Sequence, residues 1–262
     1  MKYVKSNYNG DAQELLVFPM GDIHIGSPHF MESVLLNQLK KVKENRENSR
    51  IILMGDIIEC ATKGSPGSAV YEQRMTPEEQ IDKAIEYFEP YKDLIDGVVT
   101  GNHEMRAHKE TGVDLMRYFC RVLGIEDKYL GYQGIVGFNW NNRCYTFSVW
   151  HGHGGGGTAG GAMNKVKRQQ LSVLADVYLM GHVHRLDADV SEYRVPMPQH
   201  ETVRVMKQYF VLTGSALKWE GSYAEQAGLP PAPVGFPIVK LFGGRKMENG
   251  TRYTKKIDVV LT

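Results

Sequence analysis

Apolar and polar positions alternate along the first half of the chain in a way that predicts strands and helices in turn. Leu15-Leu16-Val17-Phe18 and Ile51-Ile52-Leu53-Met54 are short apolar runs of the kind that form buried strands. Between them, Leu35, Leu36, Leu39 and Val42 recur at helical spacing within a stretch from Phe30 to about Asn45. Cys60 to Arg74 is rich in Gly, Ser and Pro and predicts a loop. Thr76-Pro77-Glu78-Glu79 then predicts a helix start, with a Thr cap, Pro in the first turn and acids at the positive end of the dipole. That helix should run to about Tyr91, with a strand at Gly97 to Thr100 and a helix from Val113 to Leu123, stopped by Gly124. The pattern then turns strand-rich. Ile135–Trp140 and Arg143–Trp150 predict a hairpin across Asn141-Asn142. A glycine tract and a helix over about Ala162 to Leu174 precede a strand at Val177–Met180. Further strands are expected at Arg204–Leu212, Ile238–Phe242 and Lys255–Leu261. No repeat, linker or charge block divides the chain, so a single domain over 1–262 is expected.

Composition narrows the class. The chain has 262 residues, 31 Lys+Arg against 30 Asp+Glu, and a net charge of +1, which excludes the global basic field of a bulk nucleic-acid binder. No apolar stretch is long enough to cross a membrane, and the first residues lack the apolar core of a signal peptide. The three cysteines, Cys60, Cys120 and Cys144, are scattered and form no CxxC, which argues against a disulfide scaffold or zinc ribbon and for a reducing cytoplasm.

The nine histidines change the picture, because six lie in short polar turns directly after apolar strands. These turns are Gly21-Asp22-Ile23-His24, Gly55-Asp56-Ile57-Ile58-Glu59, Gly101-Asn102-His103-Glu104, His151-Gly152-His153 and Gly181-His182-Val183-His184. Strands that deliver Asp, Asn and His at their ends are what a site at one edge of a sheet requires. Carboxylates, imidazoles and one amide without thiolate suit Mn, Fe, Ni, Co or Zn in a reactive centre. Asp-x-His and His-x-His should place both side chains on one side of an extended segment. Seven candidate ligands exceed the three or four that one ion needs, which predicts two ions sharing a carboxylate.

Taken in order, Asp22-x-His24, Gly55-Asp56, Gly101-Asn102-His103-Glu104, His151 and Gly181-His182-x-His184 resemble the motif set of the calcineurin-like metallophosphoesterase superfamily, over roughly residues 15–216. The branch resembled is not that of the serine/threonine phosphatases, because Glu59-Cys60 stands where that branch has Asp-Arg-Gly. The resemblance implies an α/β fold, a four-layer α/β/β/α sandwich of two mixed sheets with the metal site at the C-terminal ends of the strands. It implies two divalent ions, manganese first among the candidates. One would be held by Asp22, His24, Asp56 and His184, the other by Asp56, Asn102, His151 and His182. It further implies hydrolysis of a phosphoester by in-line attack of a metal-bridging hydroxide, with His103 as general acid and Glu59 orienting it. The substrate expected is a nucleotide or nucleic-acid phosphodiester. A small-molecule monoester is the alternative, and an inactive metal-binding scaffold a weaker one.

Around this centre, Arg106, Arg185 and His153 are candidate substrate contacts, along with Asn102. The glycine tract at 152–161 formally contains G-x-G-x-x-G, but so many glycines match almost any such pattern, and Asp176 precedes its strand instead of ending it. A sharper reading lets its backbone amides, with Lys165, Lys167 and Arg168 behind, cradle a phosphate. A (β/α)₈ barrel also places ligands at strand ends, but the strand-rich C-terminal third lacks its helices. The segment from Lys218 to Pro237, with Trp219 and several prolines, is a variable piece able to shape a pocket.

Overall fold

The structure is a computed structural model, described for residues 1–65, 69–141, 143–155, 157–243 and 255–262, without the Tyr223 side chain. In chain order the first elements are β1 (Lys2–Tyr8), β2 (Glu14–Met20), α1 (Glu32–Glu44), β3 (Ser49–Leu53), α2 (Ala69–Glu72), α3 (Pro77–Phe88), β4 (Ile95–Val99), α4 (Glu104–Thr111), α5 (Leu115–Val122) and β5 (Tyr129–Gly131). They are followed by β6 (Gln133–Trp140), β7 (Arg143–Trp150), α6 (Ala159–Arg168), β8 (Val177–Met180), β9 (Leu186–Met197), β10 (Thr202–Thr213), α7 (Tyr223–Gln226), β11 (Pro237–Phe242) and β12 (Lys256–Leu261). Asn142, at the tip of the expected hairpin, and Gly156 in the glycine tract lie outside the described residues.

Two six-stranded sheets carry the fold, in the orders β12-β11-β2-β3-β4-β5 and β1-β6-β7-β8-β10-β9. Both are mixed. In the first, β2 to β5 run parallel and β11 and β12 are antiparallel additions. In the second, β7, β8 and β10 run parallel, β9 is antiparallel to β10, and the parallel pair β1 and β6 joins antiparallel to β7 through β6. Three apolar clusters show the layering. One packs Leu35, Leu39, Ile81, Phe88 and Phe119 of α1, α3 and α5 against the outer face of the first sheet. A second joins Val17, Ile52 and Val99 to Val136, Phe147 and Leu179 between the sheets. The third covers the outer face of the second sheet with Ala162 and Val166 of α6 over Tyr178 and Phe210. The result is the expected α/β/β/α sandwich.

Local chemistry explains the element boundaries that matter. The start of α3 is a capping box: Thr76 Oγ1 accepts from Glu79 N (3.3 Å), and Glu79 Oε2 accepts from Thr76 N (2.7 Å). Its helical stretch ends at Phe88 and tightens into a 3₁₀ turn over Glu89–Leu94 that feeds β4. Three strands and three helices are absent from the sequence pattern: the short β5, α2 and α7, and the longer β1, β9 and α4. β1 is an edge strand with only Val4 and Ser6 buried. β9 forms a long antiparallel ribbon with β10 whose outer half is exposed, so it shows no apolar periodicity. α4 buries Glu104 alone and offers no apolar stripe. No helix among the described residues is long and apolar enough to cross a membrane.

Candidate metal centre

The parallel strands of the two sheets end at a common edge. β2, β3 and β4 deliver Asp22 with His24, Asp56, and Asn102 with His103; β7 and β8 deliver His151, and His182 with His184. The turns are laced to one another by their backbones. Asp22 N donates to Gly55 O (2.9 Å), and Ile23 N and His24 N donate to Asp56 O (2.9 and 3.1 Å). Such contact needs glycine. A side chain at Gly181 would place a Cβ 2.6 Å from Asp22 Oδ2, and one at Gly101 would fall on the Asp56 carboxylate.

One expectation about backbone shape is overturned. Asp22, His24, Asp56, His182 and His184 do not lie on extended segments. All five are left-handed, with φ of 48°, 56°, 49°, 67° and 51°. The Asp-x-His and His-x-His pairs reach their common centre because the chain coils, not because it alternates. Left-handed backbone costs a non-glycine residue about 1 kcal/mol or more, and several such residues at one place mark a site that the surrounding fold over-determines.

Among the described residues the side chains converge into three groups of three, Asp22–His24–His184, Asp56–His151–His182 and His24–Glu59–His103, with the donor atoms of each within 4.8 Å of one another. His184 Nε2 lies 3.3 Å from Asp22 Oδ1 and 3.2 Å from His24 Nε2. Asp56 Oδ2 stands between the first two groups, 3.3 Å from His151 Nε2 and 4.0 Å from His24 Nε2. Asn102 Oδ1 joins the second group, 3.1 Å from His151 Nε2 and 2.7 Å from His182 Nδ1. Asp22, His24 and Asp56 are almost wholly buried.

This donor set fits a cation. His151 Nδ1 faces the carbonyl of Met54 at 2.7 Å and must carry a proton to bond it. In the neutral ring Nε2 is then a lone pair, yet it points at two oxygen acceptors, from Asp56 and Asn102. His24 repeats the pattern: Nδ1 donates to Glu59 Oε2 (3.0 Å), which leaves Nε2 directed at His184 and Asp56. Acceptors that converge without a donor require a proton or a metal ion between them. With protons alone, burial opposes the charge on His151, but the Asp56 carboxylate outweighs it and holds the ring up at about 10. Burial likewise opposes ionisation of Asp56, and the imidazoles of His151 and His103 outweigh it, keeping the carboxyl well below its usual range. His182 is pushed down to about 4 by burial and by the charge on His151.

His103 belongs to the third group, with His24 and Glu59, and shares no group with Asp22 or Asp56. Its backbone N–H donates to Asp56 Oδ1 (2.8 Å), and its Nδ1 donates to the backbone carbonyl of Glu59 (2.7 Å). Nε2 accepts from Arg106 Nη2 at 2.9 Å, so the ring is neutral, and burial pushes its pKa down to about 4. The Glu59 carboxylate sits nearer to His24 (3.0 Å) than to His103 (3.5 Å), so its first partner is an imidazole of the cluster and it orients His103 mainly through its main chain. Carboxylates behind metal-bound imidazoles fix tautomer and basicity. Glu59→Gln is therefore expected to weaken binding of one ion by about 10- to 100-fold, with the other ion retained, in a chelator competition titration. An unchanged pair of affinities would remove this role.

The remaining expected contacts divide. Arg106 is tied to His103 and Glu59. Arg185 lines the same cleft, and its Nε is buried with no hydrogen-bond partner among the described residues. His153 is exposed, its ring stacked over that of His182 with centroids 6.4 Å apart. In the glycine tract Gly155 lines the cleft, while the two lysines behind it are engaged within the chain. Lys165 Nζ is bound by the carbonyls of His153, Gly154 and Gly155, and Lys167 pairs with Asp189.

Glu104 is the residue whose role the sequence pattern leaves unread. Fully buried at the first turn of α4, its carboxylate accepts from the N–H groups of Asp56 (3.1 Å), Ile57 (2.6 Å), Ile58 (3.2 Å) and Gly101 (2.9 Å). It welds the Asp56 turn to the Asn102 turn. Burial, then the charge of Asp56, raises its pKa to about 6. The available signal was an acid directly after a Gly-Asn-His turn, at the start of a helix with no apolar face.

Fold and site together define an α/β sandwich with an acid–imidazole centre able to hold metal ions at the strand ends. Neither protein-family models nor curated proteins match the chain. Among solved structures it is similar to a conserved uncharacterised protein of Streptococcus pneumoniae TIGR4, described as a predicted phosphoesterase, at 12% identity over 95% of this chain and 90% of that one, with a TM-score of 0.38. It is also similar to GAP50, the anchor in the inner membrane complex of Plasmodium, at 11% identity over 94% of this chain and 90% of that one, with a TM-score of 0.41.

Proposed function

We propose that the protein is a dinuclear metal-dependent phosphoesterase of the calcineurin-like type that cleaves phosphodiesters of nucleotides or nucleic acid. The observation that carries this reading is the pair of adjoining donor groups with one carboxylate, Asp56, within about a ligand's reach of both. Asp22, His24, Asp56 and His184 would hold one divalent cation, and Asp56, Asn102, His151 and His182 the other, manganese being the first choice for this oxygen- and imidazole-rich set. Such a pair of ions, when bound, neutralises phosphate oxygens and lowers the pKa of water toward neutrality.

The chain's own residues do the rest. His103 stands at the rim of the donor groups with its backbone fixed on Asp56 and its ring fixed on the Glu59 carbonyl, so that only Nε2 is free to exchange partners. A phosphate entering the cleft is a stronger, charge-assisted acceptor for Arg106 than the imidazole it now touches. Transfer of Arg106 to the phosphate releases Nε2, and the negative charge favours its protonation. His103 then delivers that proton to the departing ester oxygen. Arg185 is placed in the same cleft to meet a further anionic oxygen.

The test uses protein stripped of metal and refilled with Mn²⁺, assayed on bis-p-nitrophenyl phosphate and p-nitrophenyl phosphate side by side. The diester is expected to turn over only with metal. His103→Ala should lower kcat by about 10²- to 10⁴-fold without loss of bound ions. Preference for the monoester would move the activity to a phosphomonoesterase, and failure to retain any divalent ion would end the metal reading.

A further inference from the structure

The cleft that opens on the donor cluster has a volume of about 520 Å³ and continues past it. Beyond His24 and His184 its wall is formed by Leu217, Trp219, Ala224, Leu229 and Pro230, an apolar surface that does nothing for an anion. This wall is built onto the site. Met31 N donates to Ala216 O (2.8 Å) and Lys218 N to His29 O (3.0 Å), so the segment is tied to the turn that carries His24. The Trp219 indole N–H donates to Leu229 O (2.9 Å), and the Trp219 carbonyl accepts from Ser222 Oγ (2.6 Å), which anchors the residue where it lines the cleft. Ser27, His29, Lys218 and Gln226 line the same part of the cleft and offer donors and acceptors around the apolar floor. An alkyl chain would leave these groups without partners, whereas a heteroaromatic ring pairs its edge while its face covers the floor. The volume lies within the range of about 300–1,000 Å³ typical of pockets that enclose a small organic ligand, which suits one nucleotide and not a duplex.

We infer that Trp219 is a specificity-determining residue: the nucleobase of a nucleotide phosphodiester rests against its ring while the scissile phosphate lies at the donor cluster. This rests on the phosphoesterase reading above. The test compares two esters that break the same bond to the same leaving group, thymidine 5′-(p-nitrophenyl phosphate) and methyl p-nitrophenyl phosphate, on the Mn²⁺-loaded full chain. The nucleoside ester is expected to have the higher kcat/KM by roughly 10- to 100-fold, carried mostly by KM. Trp219→Ala should collapse that ratio toward one, and Trp219→Phe should keep most of it. Equal kcat/KM for the two esters in the wild type would overturn the inference while leaving the phosphoesterase reading intact. A ratio that survives Trp219→Ala would overturn it as well. Turnover of neither ester would bring down the phosphoesterase reading and the inference with it. A third arm, single-stranded oligothymidylate, tells whether the base is delivered by a free nucleotide or by the end of a strand.

Discussion

Asp56→Ala is expected to reduce metal-dependent diester turnover by roughly 10³-fold or more, the largest single loss the site can suffer. The carboxylate does three things at once. Oδ2 lies 3.3 Å from His151 Nε2 and 4.0 Å from His24 Nε2, so it is the one acid within reach of both donor groups. Its Oδ1 accepts the backbone N–H of His103 at 2.8 Å and so sets where the proposed general acid stands. Its charge is what holds the His151 ring protonated when no cation is present. Truncation would remove the proposed shared ligand and free the His103 turn together, so the two effects would fall on the same step and not separate into independent terms. The check is a paired measurement on one preparation: steady-state turnover of the diester, and metal content by elemental analysis. Fewer bound ions are expected together with the lost rate. A variant that keeps both ions and stays within tenfold of the wild-type rate would show that Asp56 is not the shared ligand. Asp22→Ala offers a contrast, since Asp22 reaches His184 and the backbone of His182 but belongs to a single donor group.

Much of this centre was legible because strong local signals coincide. Each polar turn follows an apolar run, and the apolar residues of β3, β4 and β8 are buried by both neighbouring layers, as with Ile51, Ile52 and Leu53 of β3, whereas β7 is buried only in part. The turn glycines were legible too, but for a reason the pattern does not state. Gly101 and Gly181 are needed because the carboxylates of Asp56 and Asp22 occupy the space of a side chain. What stayed hidden follows from tertiary context. β9 carries Asp187, Asp189, Glu192 and Arg194 among its apolar residues and ends in Pro196 and Met197. It is an edge strand exposed on both faces over its outer half, so neither a period of two nor a continuous apolar run marks it. The shift of Asp22, His24 and Asp56 into left-handed backbone was equally invisible, since residue type permits it without requiring it. His29 stands outside the polar turns that the sequence pattern marks, yet it lines the cleft, because the wall from Ala216 to Pro230 folds back over its turn.

Glu104 shows why a site can be stabilised by a residue that touches no ligand. The C-terminal ends of β3 and β4 stop pairing just where the site begins, and the N–H groups of Asp56, Ile57, Ile58 and Gly101 lie in the interior with no strand to meet them. A water could reach few of them. One carboxylate accepts all four, and its negative charge strengthens each bond. Burial works against that charge, as the carboxyl pKa raised to about 6 records, so the residue sits near the limit of what the interior tolerates. Removing it leaves buried donors unpaired, and each unpaired donor costs about 1–3 kcal/mol. Glu104→Ala is therefore expected to lower the unfolding free energy by about 3–5 kcal/mol, a loss large enough to unfold many domains of ordinary stability. Glu104→Gln keeps the shape but presents an amide NH₂ to donors, so a loss of about 1–3 kcal/mol is expected. Urea unfolding of the metal-free protein, followed by far-ultraviolet circular dichroism, measures both without interference from bound ions. A loss below about 1 kcal/mol in Glu104→Ala would mean that the turns are held by their mutual backbone bonds alone. The order alanine, glutamine, wild type is the decisive reading, because only a carboxylate shared among several amides predicts that an isosteric amide fails in proportion to the acceptors it lacks.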